Sequence, residues 1–504
     1  MPQSHRLNKF TLACLLFFSI STFAQTASPI IQTRQGWLRG VIENGIPVFK
    51  GIPYAAPPVG DLRFMPPVEH ATWTDTLHAD KFGSMAMQAS GKKAVGSEDC
   101  LFLNVYTPAC DAEKRAVVVW VHGGSMTAGS GSGMDGHAFA DHDDIVTVTI
   151  NYRLGVFGFM YLGDLDKRYA ASGNNGLLDV VAALKWIKQN IAGFGGDPKR
   201  VTIMGESAGA KLISAVICSP QSKGLFQQYI AESGSVQCIR DSVTAKNERL
   251  KVLHQIKPAE NDARLLLNLP ADSLIHIQAR SNTGISGTSF FGPVIDGVAL
   301  TKDPYRYAAD HQLSRFRALV GANKTEALLF TAMDGRYKHP DSSLFRDMFG
   351  DDAPPVYKSY QVWSKAMSPE EAAVKTLTQY MYQMHTYRFA KALNAAGNPV
   401  WMYRFDYAKL SLGAAHASEL AFVWYKPASK EFTDSAKKQL ALQMHAAWVS
   451  FIKTGDPNNP SLPNWPRYEQ ETKEVMLFDE KSRATPITDV FDDKTFPSAV
   501  FVLK

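Results

Sequence analysis

The sequence predicts an α/β protein: a mostly parallel central sheet with helices on both faces, entered through an antiparallel hairpin region. Three observations carry this expectation. Short apolar, β-branched runs alternate with longer segments of helical periodicity from residue 101 onward. Residues 145–150 (Ile-Val-Thr-Val-Thr-Ile) are β-branched throughout, the pattern of a strand buried on both faces. No internal repeat or low-complexity linker divides the chain, so residues 25–504 are expected to form one unit.

Taken in order, residues 41–42 and 46–48 flank Glu43-Asn44-Gly45, and Asn-Gly is a strong hairpin signal. Residues 101–106, 116–121 and 144–151 read as strands. A helix is expected over 179–191, with Asp179 capping or charging its first turn and Gly193-Phe194-Gly195-Gly196 ending it. Residues 201–204 form a short buried strand and 208–217 a helix of small and apolar residues. Later strands are expected at 316–320 and 400–405. A long amphipathic helix over 436–453 is stopped by Gly455-Asp456-Pro457.

Composition narrows the function classes. With 45% apolar and 20% charged residues the chain is ordinary globular material, which excludes a disordered or fibrous protein. The net charge is +5, two units of it from Arg6 and Lys9, and no dense basic block exists, which argues against a nucleic-acid partner. Residues 10–24 form an apolar run too short to span a membrane comfortably, and Thr22-Phe23-Ala24 has small residues at the two cleavage positions. Residues 1–24 are therefore expected to be a secretory signal, giving an exported protein (periplasmic or extracellular) without a stable membrane anchor once the leader is removed. Cys14 lies in the middle of that run, not at its end, which argues against a lipoprotein site. Cys100, Cys110, Cys218 and Cys238 remain; their pairing is open, and no clustered Cys/His spacing points to zinc.

The chemistry centres on Gly205-Glu206-Ser207-Ala208-Gly209. A G-x-S-x-G match alone is weak. Here a buried strand precedes it and a small-residue helix follows, the context in which a sharp strand-to-helix turn lifts a serine above the sheet. A serine hydroxyl needs a base, and on an open parallel sheet an acid and then a histidine should follow it. His385 and His445 fall in helical, apolar-periodic stretches, and His339 precedes a proline in a polar loop. His416 lies in a small-residue loop after the strand at 400–405, where this architecture places its chemistry. Glu326, just past the strand at 316–320, is favoured as the orienting acid over Asp296, whose position before Gly297 is explained by a turn. Ala208 supplies one N–H donor for an oxyanion, and the loop His122-Gly123-Gly124-Ser125 supplies backbone that can approach closely. Gly129-Ser130-Gly131-Ser132-Gly133 lacks the Gly-Lys-Ser/Thr ending of a phosphate loop, and His137 and His142 with their neighbouring aspartates read as a polar helix end.

Beyond the serine motif, the chain resembles the type-B carboxylesterase/lipase family of α/β-hydrolases over nearly all of residues 25–504. The resemblance rests on residues 49–55 (Phe-Lys-Gly-Ile-Pro-Tyr-Ala), 62–64 (Leu-Arg-Phe), 97–105 (Ser-Glu-Asp-Cys-Leu-Phe-Leu-Asn-Val), 151–155 (Asn-Tyr-Arg-Leu-Gly), 173–179 (Gly-Asn-Asn-Gly-Leu-Leu-Asp), 190–198 (Asn-Ile-Ala-Gly-Phe-Gly-Gly-Asp-Pro) and 205–209. It implies Ser207 as nucleophile, Glu326 as acid, His416 as base, and Gly124, Ser125 and Ala208 as oxyanion donors. It also implies two ion pairs, Arg63–Glu98 and Arg153–Asp179. Three departures stand out. Ser125 replaces the family's third loop glycine, and Met126 follows where an aromatic is usual. Ala86 stands near the position of the cysteine that normally bridges to that of Cys100. No aromatic-lined gorge of the cholinesterase kind is legible, which disfavours choline esters.

The expected activity is hydrolysis of a small-molecule carboxylic ester through an acyl-serine, with no metal or organic cofactor required. Other readings keep the fold and change the substrate (a lipase, lactonase, amidase, or an esterase for a phenolic or toxin), or drop catalysis for binding. Non-catalytic relatives are recognised by loss of the nucleophile or base, and here all three residues are present. The pocket walls are expected between about residues 250 and 380 and around Met85.

Overall fold

The computed structural model describes residues 28–256, 262–426 and 429–487. The predicted leader lies outside them. Eleven strands form one mixed sheet: β1 (Val41–Glu43), β2 (Ile46–Pro53), β3 (Phe102–Tyr106), β4 (Arg115–Val121), β5 (Val146–Ile150), β6 (Gly196–Glu206), β7 (Gln228–Glu232), β8 (Arg317–Asn323), β9 (Val400–Phe405), β10 (Glu474–Phe478) and β11 (Arg483–Pro486). Their spatial order is β1-β2-β3-β5-β4-β6-β7-β8-β9-β10-β11. From β5 through β10 all neighbours are parallel. The first four strands in this order pair antiparallel, as does β11 on β10. The architecture is that of an α/β-hydrolase.

The strand β4 shows why the sheet is covered on both sides. Val117, Val119 and Val121 enter one apolar core, while Ala116, Val118 and Trp120 enter a second on the opposite face. Successive side chains of a strand point to opposite faces, so a strand with two buried faces must be apolar at every position. The first core is closed by helices α1 (Asn175–Asn190) and α2 (Ala208–Ile217), the second by α3 (Ser435–Thr454). Asp434 caps α3 by accepting from Lys437 N–H, and Gly455 ends it in the left-handed conformation at φ 75°. A third, smaller cluster joins helices Ser342–Phe349, Ala353–Trp363 and Pro369–Thr378 to Ala327, the residue after Glu326.

The hairpin 41–48 and the strands read from sequence are present, with ends shifted by a few residues. Three corrections are needed. α1 begins at Asn175, so Asp179 is a full turn inside it and neither caps nor charges its first turn. Asp179 is instead wholly buried and paired bidentately with Arg153, Nε at 2.9 Å and Nη2 at 2.7 Å. The sheet also contains β7, which is bounded by Gln228 and Glu232 and so lacks an apolar signature at its ends, and β10 and β11 near the carboxyl end. Apart from β8, the described residues of the segment 242–395 are mostly helical, which the sequence does not disclose.

The second ion pair implied by the resemblance is also formed: Arg63 Nε lies 2.6 Å from Glu98 Oε2, and its Nη1 donates to the Leu269 carbonyl. The four described cysteines are thiols. Ala86 and Cys100 line the same small cavity beside Arg63 and Arg153, and Cys100 is a buried thiol there.

Candidate active site

All four site loops leave the carboxyl ends of parallel strands: the glycine loop after β4, Ser207 after β6, Glu326 after β8 and His416 after β9. Ser207 sits alone between β6 and α2 with φ 54° and ψ −121°, a conformation that costs a residue with a Cβ about 1–3 kcal/mol. Its surroundings hold it there. Ser207 N–H donates to the Glu232 carbonyl at 2.9 Å, and its own carbonyl accepts from Lys211 N–H at 2.9 Å. The flanking glycines are steric requirements: a Cβ on Gly209 would lie 2.0 Å from the Val121 carbonyl oxygen, and one on Gly205 2.8 Å from the Gly209 backbone.

The turn aims Ser207 Oγ at His416 Nε2, 2.7 Å away, and His416 Nδ1 lies 2.6 Å from Glu326 Oε2. The imidazole packs against two aromatic rings, Tyr382 at 4.6 Å and Phe330 at 5.2 Å, which stack on each other. Glu326 is fully buried, and its other oxygen accepts from Asn323 N–H and from Ser233 Oγ, both at 2.6 Å. The structure thus brings Ser207, His416 and Glu326 into one hydrogen-bonded chain. It leaves the rejected candidates elsewhere. His339 is exposed, and His445 packs on α3 against Asp143. Asp296 accepts from the N–H groups of Val298, Ala299 and Leu300. His137 pairs with Asp135 at the start of the short helix His137–Ala140.

The glycine loop lies across the serine. Gly124 adopts φ 102°, and a Cβ there would meet the Ala128 carbonyl oxygen at 2.3 Å. Ser125 and Met126 follow, both at φ 56°, a left-handed conformation that favours glycine and that these two residues occupy under strain. The loop is anchored through His122, whose ring stacks on Tyr152 at 4.5 Å while Tyr152 Oη donates to the His122 carbonyl. Burial pushes the His122 imidazole down to about 4, so it stays neutral. Gln88 exchanges hydrogen bonds with Gly129, which joins the segment around Met85 to this loop.

Sequence reasoning missed a buried acid cluster beneath the histidine. Glu206 Oε1 lies 3.3 Å from His416 Nε2 and has no hydrogen-bond partner; burial, then the charge of Glu326, drives its carboxyl well above the usual range. Glu419, three residues past His416 in the same turn, is wholly buried, and burial with the charges of Glu326 and Glu206 pushes it up to about 8. Hydrogen counting agrees with this shift. Ser233 has one hydroxyl proton, and its closer contact gives that proton to Glu326. A protonated Glu419 then donates to Ser233 Oγ across 3.2 Å. The signal was the spacing of Glu206 and Glu419 from Ser207 and His416, but nothing in sequence says that both side chains turn inward.

The sign of the pH effect follows. Glu419 holds its proton to about 8 when folded, against about 4.3 in an unfolded chain. The native state binds more protons between those values, so this group's contribution to stability is full below about 4.3 and is lost as pH rises through 8. Glu419→Gln removes the titration and keeps the shape. Its stability relative to wild type is expected to grow from pH 5 to 8.5, by at most about 1.4 kcal/mol per unit. Urea unfolding across that range measures it; a constant difference between the two proteins would reject the shift.

A cavity of about 700 Å³ lies behind the Glu326 loop, lined by Lys324, Leu328, Val374, Gln379 and Arg404 among others, but Ser207 is not in its walls. Among the described residues no helix is long and apolar enough to cross a membrane.

A strained serine above a parallel sheet, in contact with a histidine held by a buried acid, defines a serine hydrolase of the α/β-hydrolase class. The chain belongs to the carboxylesterase family, whose model matches residues 27–490, and it is accordingly a carboxylic ester hydrolase. It is 34% identical over 482 residues to the para-nitrobenzyl esterase of Bacillus subtilis (strain 168), covering 90% of this chain and 95% of that one. It is 32% identical to the phenmedipham hydrolase of Pseudarthrobacter oxydans, covering 89% and 94%. Among solved structures, the carboxylesterase EST55 of Geobacillus stearothermophilus superposes with a TM-score of 0.81 at 38% identity, covering 90% of this chain and 97% of that one.

Proposed function

We propose that the protein hydrolyses small carboxylic esters through an acyl-serine intermediate. Ser207 Oγ attacks the ester carbonyl as His416 Nε2 takes its proton, and Glu326 holds the imidazole through Nδ1. The N–H groups of Gly124, Ser125 and Ala208 stabilise the oxyanion; none of the three has a backbone acceptor among the described residues, which leaves them available. His416 returns the proton to the leaving alkoxide, then activates a water that attacks the acyl carbon and releases the acid. Each step uses a group the chain itself supplies.

The observation that carries this reading is the Ser207–His416–Glu326 chain, with 2.7 Å and 2.6 Å links. The experiment is labelling with a serine-reactive phosphonate, mapped by mass spectrometry, beside p-nitrophenyl esters of increasing acyl length. The label should fall on Ser207 and short acyl esters should turn over. An unlabelled Ser207 in folded protein would remove the mechanism. A preference for emulsified long-chain esters would move the protein toward the lipases.

A further inference from the structure

The helix that follows the nucleophile carries a buried ammonium that the hydrolytic steps do not use. Lys211 is the fourth residue of α2, one turn beyond Ser207, and only 3% exposed. Residues i and i+4 share a helix face, and helical side chains lean toward the amino terminus, so Lys211 projects back over the turn that bears Ser207. Its Nζ stands 5.1 Å over the ring of Tyr382, and that ring packs 4.6 Å from the imidazole of His416. The ammonium is therefore one helical turn from the nucleophile and one aromatic ring from the base.

Lys211 has no ion pair and no side-chain hydrogen bond among the described residues. The groups around it do not supply one. Arg240 is occupied by Glu248 and the carbonyls of Ser289 and Phe290. Cys238 is a buried thiol. His385, on the helix Met384–Ala395, is buried with Nε2 unpartnered, and burial with the charges of Arg388 and Lys211 pushes it down to about 3. Cys238, then Glu206 and Glu326, act on Lys211 through their charge, with no hydrogen bond to it. Burial is the largest influence on Lys211 and disfavours its charged form. An ammonium held there by an aromatic face, with no ion pair or side-chain hydrogen bond, has costly burial that a ligand carboxylate would offset.

We propose that Lys211 selects the acid half of the substrate, binding a carboxylate on the acyl chain, so that the preferred esters are half-esters of short dicarboxylic acids. This rests on the serine-esterase reading above. The attacking serine oxygen forms the new bond to the ester carbonyl while the second carboxylate pairs with Lys211. Water then replaces the serine, and the products are the dicarboxylate and the alcohol, which carries the proton delivered by His416.

The test compares mono-p-nitrophenyl glutarate with p-nitrophenyl valerate, equal in chain length and different in charge. Wild type, Lys211→Met and Lys211→Arg are assayed, and their unfolding in urea is followed. The ratio of kcat/KM for the glutarate over the valerate is expected to fall about tenfold or more in Lys211→Met, the loss of one charge-assisted contact, and to be largely kept in Lys211→Arg. Glutarate should inhibit wild type more strongly than valerate does, and this difference should vanish in Lys211→Met. The methionine variant should also be at least as stable as wild type. An unchanged ratio overturns the proposal. So does a clear loss of stability in Lys211→Met, because it would make Lys211 a counter-charge for Glu206. Valerate turnover and phosphonate labelling of wild type report separately on the esterase reading: if both succeed and the ratio does not move, this inference alone falls.

Discussion

Replacing Ser207 with alanine is expected to lower kcat by about 10⁴- to 10⁶-fold, while replacing it with glycine should cause the same loss and yet stabilise the protein. The first effect follows from geometry. Ser207 Oγ is the hydroxyl that His416 Nε2 reaches at 2.7 Å, and the residual rate would come from the oxyanion donors and substrate positioning alone. The second follows from φ 54° and ψ −121° at a residue with a Cβ. Alanine keeps that strain; glycine relieves about 1–3 kcal/mol of it and gives back about 0.5–1 kcal/mol through its freer unfolded chain. The net gain for Ser207→Gly over Ser207→Ala is about 1 kcal/mol, read by urea unfolding of the two inactive variants. The strain is imposed from outside, by the Glu232 carbonyl on its N–H and by the approach of Val121 to Gly209. An alanine variant that kept a hundredth of the activity, or a glycine variant less stable than it, would show that the turn does something other than present a nucleophile.

The elements that sequence disclosed best are those whose patterns have one physical cause. Strand β5 is β-branched at every position because both faces are buried, and α2 follows Ser207 as small residues because it packs against β4 at backbone distance. Ser207, Glu326 and His416 could be picked because each follows a strand end, and strand ends are legible. What stayed hidden depends on which way a side chain turns. Asp179 looks like a helix-start acid until α1 is seen to begin four residues earlier and bury it. Glu419 and Glu206 look like surface acids near a loop, and only packing shows that Glu419 is bonded to Ser233 and Asn323 and that Glu206 is buried against His416. Lys211 passes unremarked in a helix read only as small and apolar, and its burial over the Tyr382 ring is disclosed by the packing. The described helices of 242–395 divide between the first core and the outlying cluster, a partition set by tertiary packing that local sequence does not announce.

Breaking the pair between Arg153 and Asp179 should cost stability rather than chemistry. Asp179 is wholly buried, and its two oxygens receive Arg153 Nε, Nη2 and backbone N–H. Arg153 Nη1 donates in addition to the Met65 carbonyl. The pair ties α1 to the short helix Gly155–Phe159 and to the segment that carries Arg63, and none of these groups touches the reacting atoms. Asp179→Asn leaves a buried guanidinium without its counter-charge, for an expected loss of about 3–5 kcal/mol. The Arg63–Glu98 pair is reached by solvent, so Glu98→Gln should cost less. The double replacement Arg153→Met with Asp179→Leu removes both charges and should recover much of the loss, because buried pairs contribute little net stability beyond satisfying each other. Urea unfolding of Arg153→Met, Asp179→Leu and the double variant measures the coupling. Activity assayed on the folded fraction, titrated with the phosphonate, should be close to wild type per active site. If the singles unfold normally but turn over slowly, the pair acts on the site directly; if the double variant is no more stable than the singles, the arginine is held by its carbonyl partners and not by the charge.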